Sequence, residues 1–287
     1  MTAALKIVYG VVAFRVRKLE MANLAGALAI MLVLRMGPAE ALVRGLFAAL
    51  LNILIYLNND YLDVAIDQRA PDKDAGKVAY MRAHMAQART AQWLLLVILV
   101  AMALLGEPDL LLPLIAGGGI CVAYSARLKH MPGLDILAMA LWGVAMPLCG
   151  SHADSTLGWL LALQLGLISA VFESIQVIRD HDTDAALAVR TSAVAMGVPR
   201  TLWLARGLMV LASAYAAVTL HPAAGGVMLL SPLIPFKTQR AAGYWTAVKL
   251  VLGVGFVVAC ALCYVQAGSQ GLWLRVDAGA SLFGATP

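Results

Sequence analysis

The sequence predicts an all-α, polytopic membrane protein with about nine transmembrane helices bundled around a central cavity. Its 287 residues are 62% hydrophobic and 13% charged, with a mean hydropathy of +0.83. Soluble globular domains are nearer to about 45–50% apolar and about 25% charged. The apolar residues form continuous runs rich in Ala and Leu, which favours helices over the alternating pattern of transmembrane strands. A soluble enzyme and a disordered chain are both excluded.

Apolar stretches approaching the length that a helix needs to cross roughly 30 Å of hydrocarbon recur along the chain. We predict nine transmembrane helices in a single domain spanning residues 1–287, at residues 20–35, 41–58, 90–106, 109–125, 134–150, 157–178, 201–220, 223–236 and 246–266. The eighth stretch carries Pro222, Pro232 and Pro235, which interrupt any regular helix there.

The two ends of the chain differ from these stretches. Residues 1–19 contain an apolar run that is too short to span a bilayer and is followed directly by Arg15, Arg17 and Lys18. A short helix lying at the membrane surface accounts for this pattern, so we predict an interfacial N-terminal segment. Residues 267–287 form a C-terminal tail in which we find no candidate catalytic group.

Basic residues divide unevenly between the two sides of the membrane that the helices define. With the N-terminus placed in the cytoplasm, 18 Lys and Arg residues fall on the cytoplasmic side and three, Arg35, Arg44 and Arg275, fall on the other. The positive-inside rule therefore predicts that the N-terminus and the loops carrying the candidate site are cytoplasmic. The same topology accounts for the net charge of +5, so no nucleic-acid partner is expected.

Acidic residues are concentrated in two short segments, each at the cytoplasmic end of a predicted helix. Five of the sixteen lie within residues 60–74 and four lie within residues 173–184. One interpretation is that both segments are solvated helix ends. A cation pathway is another, but it predicts acids near the middle of the bilayer rather than at helix ends.

Each acidic segment follows a helical spacing. In the first, Asp60, Asp63 and Asp67 are spaced i, i+3 and i+7, which places three carboxylates on one helix face. Asn59 lies four residues before Asp63 and shares its side. A second face, at i, i+3, i+7 and i+11, carries Glu173, Gln176, Asp180 and Asp184, whereas His181 and Asp182 point elsewhere.

Carboxylates crowded on one face repel one another and are costly near hydrocarbon. A hard divalent cation offsets that repulsion, and Mg²⁺ prefers carboxylate oxygens together with water and substrate phosphate oxygens. Two facing acidic clusters could therefore hold two magnesium ions against a diphosphate, where the metal neutralises charge that develops on a leaving group.

The chain resembles the UbiA superfamily of intramembrane prenyltransferases, which have nine transmembrane helices and acidic motifs after helices 2 and 6. Its motif N-D-x-x-D-x-x-x-D is matched at residues 59–67, and its motif D-x-x-x-D is matched at residues 180–184. The stretches AYSARLK (123–129) and VRTSAVAMG (189–197) are also similar to the family. Glu173 stands where many members carry Asp. An Arg-Pro element that many members carry after the first motif is missing.

The resemblance implies an enzyme that moves a prenyl group from an allylic isoprenoid diphosphate to a small acceptor, which we expect to be aromatic. Magnesium, with two ions bridging the diphosphate, would be held by Asn59, Asp60, Asp63, Asp67, Asp180 and Asp184, and these five aspartates would be the catalytic residues. Substrate contacts would come from Asn59, Arg69, Tyr124, Lys129, Glu173, Gln176 and Arg190.

Two alternatives remain open from the sequence. A membrane terpene cyclase of the same superfamily would use the same metal site on a prenyl diphosphate without any acceptor. An ion-coupled transporter would use the acids to carry ions, and it should show repeat symmetry between its halves. The only sign of such symmetry is the pair of acidic segments after helices 2 and 6.

Overall fold

The structure is a computed structural model, and it describes residues 2–17, 21–69 and 74–266. The predicted C-terminal tail at 267–287 lies outside the described residues, as does the end of the predicted N-terminal segment. Within the described residues all regular structure is helical.

Fourteen α-helices follow one another in the described residues, joined by short 3₁₀ and π-helical turns. In chain order they are α1 Ala3–Arg17, α2 Ala22–Val33, α3 Pro38–Leu62, α4 Val64–Asp67, α5 Ala75–Ala83, α6 Met85–Leu105, α7 Gly118–Ala126, α8 Leu134–Ala145, α9 Thr156–Arg179, α10 His181–Ala186, α11 Ser192–Met196, α12 Val198–Tyr215, α13 Pro222–Met228 and α14 Ala241–Gln266.

Six helical segments are long and apolar enough to cross a membrane: Pro38–Leu62, Met85–Leu105, Pro108–Ala126, Thr156–Arg179, Val198–Leu220 and Ala241–Gln266. Three shorter apolar segments, Ala22–Val33, Leu134–Gly150 and Pro222–Leu233, lie at the remaining predicted positions. The all-helical membrane fold is therefore confirmed, with six to nine candidate spans among the described residues. In the eighth segment α13 ends at Met228 and is followed by a 3₁₀ turn at Ser231–Leu233, as its prolines predict.

Helix α9 forms the centre of the bundle. In its most apolar window 78% of the residues are buried, against 22–44% in the other five long segments. Gly143 of α8 and Gly166 of α9 face Ser169 and Val144 where a Cβ atom would clash, so these glycines allow the two backbones to approach closely. The outward faces carry exposed leucines such as Leu42, which suits contact with lipid.

Helices α3 and α9 each end within an acidic motif. Asp63 is the C-cap of α3 and the residue before α4, while Asp180 is the C-cap of α9 and the residue before α10. Both motifs therefore straddle a helix break. We call the end of the bundle where α3 and α9 terminate the motif end.

The N-terminal helix α1 packs against the bundle near the motif end. Its buried residues Ile7 and Val11 belong to an apolar cluster with Leu57 of α3, Met81 of α5 and Ala88 of α6. The prediction that residues 1–19 lie at the membrane surface stays a prediction. The packing of Ile7 and Val11 on the bundle fixes α1 beside the first acidic motif.

Candidate active site

Asp60 of the first motif is buried and paired with two cations. One carboxylate oxygen lies 2.8 Å from Arg15 Nη2 on α1, and the other lies 2.6 Å from Lys77 Nζ on α5. Asp67 lines a small pocket together with Asp60, Lys77 and Phe14. This side of the motif therefore faces α1 and α5.

Asn59 and Asp63 face different neighbours, namely the C-terminal end of α7 and the turn that follows it. The Asn59 side-chain oxygen accepts a hydrogen bond of 3.0 Å from the Ser125 hydroxyl, and Asp63 forms an ion pair with Lys129. Because α3 ends at Leu62, the Asp60 and Asp63 carboxylates contact different partners although they lie on one predicted helix face. The motif thus offers oxygens in two directions.

The second acidic segment has a buried carboxyl, Glu173, and two half-buried ones, Asp180 and Asp184. Glu173 is 6% exposed and accepts a hydrogen bond of 2.8 Å from the Tyr124 hydroxyl. Asp180 is paired with the neighbouring Arg179 at 2.7 Å. Burial raises the pKa of Asp184 to about 6, and the nearby Asp180 carboxylate acts in the same direction.

The remaining predicted residues lie around these carboxyls. Gln176 is half-buried on α9, whereas Arg69 and Arg190 are exposed just after the first and second motifs. The Asp182 side chain is 99% exposed and pairs with His181 at 2.8 Å, so Asp182 points away from the site as its helical position predicts. All of the predicted substrate contacts, those of Arg69, Gln176 and Arg190 included, stay predictions.

Tyr124 and Lys129 bring the two motifs together. Lys129 pairs with Asp63 of the first motif, and its charge also acts on Asp184 of the second. The Tyr124 hydroxyl donates a hydrogen bond to Glu173 and lies in the electrostatic field of Asp63. Both motifs therefore surround one region at the C-terminal end of α7.

Hard oxygen donors at helix ends make this region suitable for a divalent cation. Asp63 and Asp180 sit at helix C-caps, where the partial negative charge of the helix end adds to that of the carboxylate. Lys and Arg groups already neutralise Asp60, Asp63 and Asp180. Carboxylate and amide oxygens are the ligands that Mg²⁺ prefers, so the donor set fits magnesium.

Three residues here, Asp135, Ser192 and Arg15, were not among the site residues predicted from the sequence. Asp135 is fully buried and accepts hydrogen bonds from the Ser192 backbone N–H, at 2.6 Å, and from the Ser192 hydroxyl. This pair ties the start of α8 to the loop after the second motif. Arg15 was assigned only to a surface segment, although it pairs with Asp60. Its place in an apolar helix that leads towards the bundle is the one feature that could have indicated this role.

The fold and the site together define a multi-pass integral membrane protein with two acidic motifs at adjacent helix ends. Residues 23–252 match the sequence profile of the UbiA prenyltransferase family. The chain belongs to this family, and it is a prenyltransferase rather than a transporter.

Solved structures and curated relatives agree with this assignment. A UbiA homolog from Archaeoglobus fulgidus bound to DMAPP and Mg²⁺ has the same fold, with a TM-score of 0.64 at 17% identity, covering 92% of this chain and 100% of that one. The same homolog bound to GPP and Mg²⁺ also gives a TM-score of 0.64.

Two curated relatives carry the name lycopene elongase/hydratase. The protein from Halobacterium salinarum is 29% identical over 72% of this chain and 78% of its own length. The protein from Haloferax volcanii is 28% identical over 71% of this chain and 70% of its own length. Neither name supports the aromatic acceptor that we expected from the sequence.

Proposed function

We propose that this protein is a magnesium-dependent prenyltransferase that moves a short prenyl group from an allylic diphosphate to an apolar, carotenoid-like polyene. The observation that carries the proposal is the bridging of the two acidic motifs by Tyr124 and Lys129. The names of the curated relatives and the ligands of the homologous structure support the choice of substrates.

The diphosphate would bind at the motif end, where metal and cationic donors are available together. Metal ligands would be Asn59, Asp60, Asp63, Asp67, Asp180 and Asp184. Bound magnesium would neutralise the negative charge that develops on the departing diphosphate. Lys129 lies between the motifs and can donate to phosphate oxygens, and the exposed Arg69 and Arg190 flank the site.

The reacting carbon would lie near Tyr124 and Glu173. When the C–O bond to the diphosphate breaks, positive charge develops on the allylic group. The Glu173 carboxyl is buried and held in place by the Tyr124 hydroxyl, with Asp135 and Asp180 as further acidic neighbours. Oxygen dipoles that are fixed in this way stabilise a developing cation. A carbon–carbon bond then forms to the acceptor alkene, and the new cation loses a proton or takes up water.

An apolar acceptor has a suitable open groove that runs towards the site from the opposite end of the bundle. The groove, of about 350 Å³ between α7 and α8, is lined by apolar residues, including Leu112, Ile120 and Val144. Its lining includes Ala123, the residue before Tyr124. Among the described residues no charged group lines this groove, so it favours a hydrocarbon over an aromatic carboxylate, whose charge would need a partner.

An assay with purified protein in detergent or liposomes tests the proposal. Dimethylallyl and geranyl diphosphate would each be paired with lycopene or with 4-hydroxybenzoate, with Mg²⁺ or EDTA. We expect lycopene to gain one prenyl unit, with or without one water, only when Mg²⁺ is present. Prenylated 4-hydroxybenzoate would contradict the acceptor, and a cyclic terpene formed from the diphosphate alone would establish the cyclase alternative.

The same preparation tests orientation. We propose that the N-terminus and the motif end are cytoplasmic, because 18 of the 21 basic residues fall on that side. Labelling of single cysteines introduced at Arg69 and Arg190 in sealed inverted vesicles should be complete without permeabilisation. Protection of both positions would reverse the orientation.

A further inference from the structure

Each carboxylate oxygen of Asp60 is held by its own cation. Arg15 lies 2.8 Å from one oxygen and Lys77 lies 2.6 Å from the other. The side chains of Arg15 and Lys77 are 15% and 20% exposed, so water and salt screen these contacts less than they screen surface pairs. The first aspartate of the motif therefore has two cations on the oxygens that a metal ion would use.

Aromatic rings hold both cations in position. The Arg15 guanidinium lies 4.4 Å from the centre of the Tyr56 ring, and the Lys77 ammonium lies 4.4 Å from the centre of the Phe14 ring. Such contacts favour a fixed cation over a freely moving one. Because α1 itself is packed on the bundle through Ile7, Arg15 belongs to a fixed wall of the site.

We propose that Arg15 and Lys77 bind the diphosphate of the substrate, which makes the N-terminal helix α1 part of the active site. The inference rests on the proposed function, since it takes the leaving group to be a metal-bound diphosphate. A metal ion held by Asp60 would take the place of one guanidinium and one ammonium group on its oxygens. Phosphate oxygens accept charge-assisted hydrogen bonds from such donors, so the two cations exchange a carboxylate partner for a phosphate partner.

This exchange predicts effects of opposite sign. Replacing Arg15 by Gln removes a competitor of the metal, so divalent cation alone should bind more tightly, by roughly threefold. The same change removes a charged donor to the diphosphate, so the affinity for a prenyl diphosphate in the presence of metal should fall by about tenfold or more. A purely structural role of Arg15 does not move the two affinities apart.

The experiment uses the full-length protein in detergent and two binding measurements. Electron paramagnetic resonance would follow binding of Mn²⁺ alone, as a probe of the magnesium site. Calorimetry would follow dimethylallyl S-thiolodiphosphate, an unreactive analogue, at saturating Mg²⁺. Arg15→Gln and Lys77→Gln should each bind Mn²⁺ more tightly and the analogue more weakly, and Arg15→Lys should recover part of the analogue affinity.

Arg17→Gln is the matched control, because Arg17 lies on the same helix, is exposed and donates to the backbone oxygen of Ala13. It should leave both affinities unchanged. If wild type binds the analogue and both affinities fall together in Arg15→Gln and Lys77→Gln, or neither changes, α1 has only a structural role and the inference is wrong. If wild type fails to bind the analogue with Mg²⁺, the proposed function itself fails.

Discussion

Two charge clusters lie at opposite ends of the bundle, and they are built differently. At the end opposite the motifs, Arg44 is fully buried in the middle of its partners. Its guanidinium contacts Glu40, Glu107, Asp109, the Ser151 backbone oxygen and the His152 ring at 2.8–3.1 Å. One cation thus serves several acceptors that come from three separate parts of the chain.

At the motif end the arrangement is reversed, since the acids are central and their cations come from separate elements. Arg15 and Lys77 reach Asp60 from α1 and α5, and Lys129 reaches Asp63 from the turn after α7. Cations on separate elements can be exchanged one at a time for a metal or a phosphate. The Arg44 cluster cannot exchange its single cation without leaving several acids unpaired. The comparison indicates that the cluster at the motif end is functional and that the Arg44 cluster is structural.

The same comparison explains why a compact set of potential metal ligands is a poor guide here. Among the described residues, Glu40, Glu107 and His152 place their ligand atoms within 4.8 Å of one another. Arg44 lies within hydrogen-bonding distance of all three, so a cation already holds that position.

Removing an acid at the motif end should give the largest effect on catalysis. In Asp63→Asn the carboxylate that pairs with Lys129 between the motifs is lost, and metal-assisted departure of the diphosphate loses several kcal/mol of stabilisation. We expect the rate of diphosphate release to fall by at least roughly a thousandfold, while the unfolding temperature changes little. Release of diphosphate and thermal unfolding in detergent would be measured in parallel.

Asp182→Asn is the control for this change, because it removes a carboxylate from the same region whose side chain is 99% exposed. It should retain wild-type turnover. If Asp63→Asn kept a rate within tenfold of wild type, the motif end would not be the catalytic end.

Removing the central cation at the other end should instead affect stability. Arg44→Met leaves three acids without their shared partner, and unpaired buried charges cost about 3–5 kcal/mol. The three carboxylates are 22–32% exposed and can regain water, so we expect the lower value, about 3 kcal/mol. Turnover per folded molecule should be unchanged. Thermal unfolding in detergent gives the first quantity, and activity per folded molecule gives the second.

Arg44→Lys sharpens this test, since it keeps the charge but loses the forked donors that reach several acceptors at once. Its loss of stability should be smaller than that of Arg44→Met. A large loss of turnover in either folded variant would mean that the two clusters are coupled across the bundle, against the division proposed above.

Much of the fold could be predicted from the sequence, because apolar length determines which segments cross a bilayer. The nine stretches and the spacing of both motifs required no tertiary information. The helix breaks at Asp63 and Asp180 could not be predicted without tertiary information, since the spacing alone describes one continuous helical face in each segment. The breaks explain why Asp60 and Asp63 face different partners although they lie three residues apart.

Cation partners could not be predicted, because each pairing joins distant parts of the chain. Arg44 was counted only as one of three basic residues on the opposite side, yet it is fully buried. Arg15 and Asp60 are 45 residues apart in sequence. A charge count gives the side of the membrane on which a residue lies, but the partner depends on how the helices pack.

The smallest expected effect is a pH dependence that distinguishes the motif end from the Arg44 end. Asp184 has its pKa raised from 3.8 to about 6 by burial and by the neighbouring Asp180. Without added divalent metal, the folded protein therefore binds more protons than the unfolded chain between these values. The resulting stability is present below about pH 4 and is lost as the pH rises through 6. Partial exposure limits the effect to about 1 kcal/mol, or roughly 2 °C in unfolding temperature.

Thermal unfolding in EDTA between pH 4.5 and 7.5 would measure this slope. Asp184→Asn should remove it, whereas Asp182→Asn should leave it in place, since Asp182 is exposed to water. Saturating Mg²⁺ should oppose it, because the metal binds the ionised carboxyl and competes with the proton. A slope that persists in Asp184→Asn would assign the titration to another group. The raised pKa of Asp184 would then no longer support metal binding by this carboxyl near neutral pH.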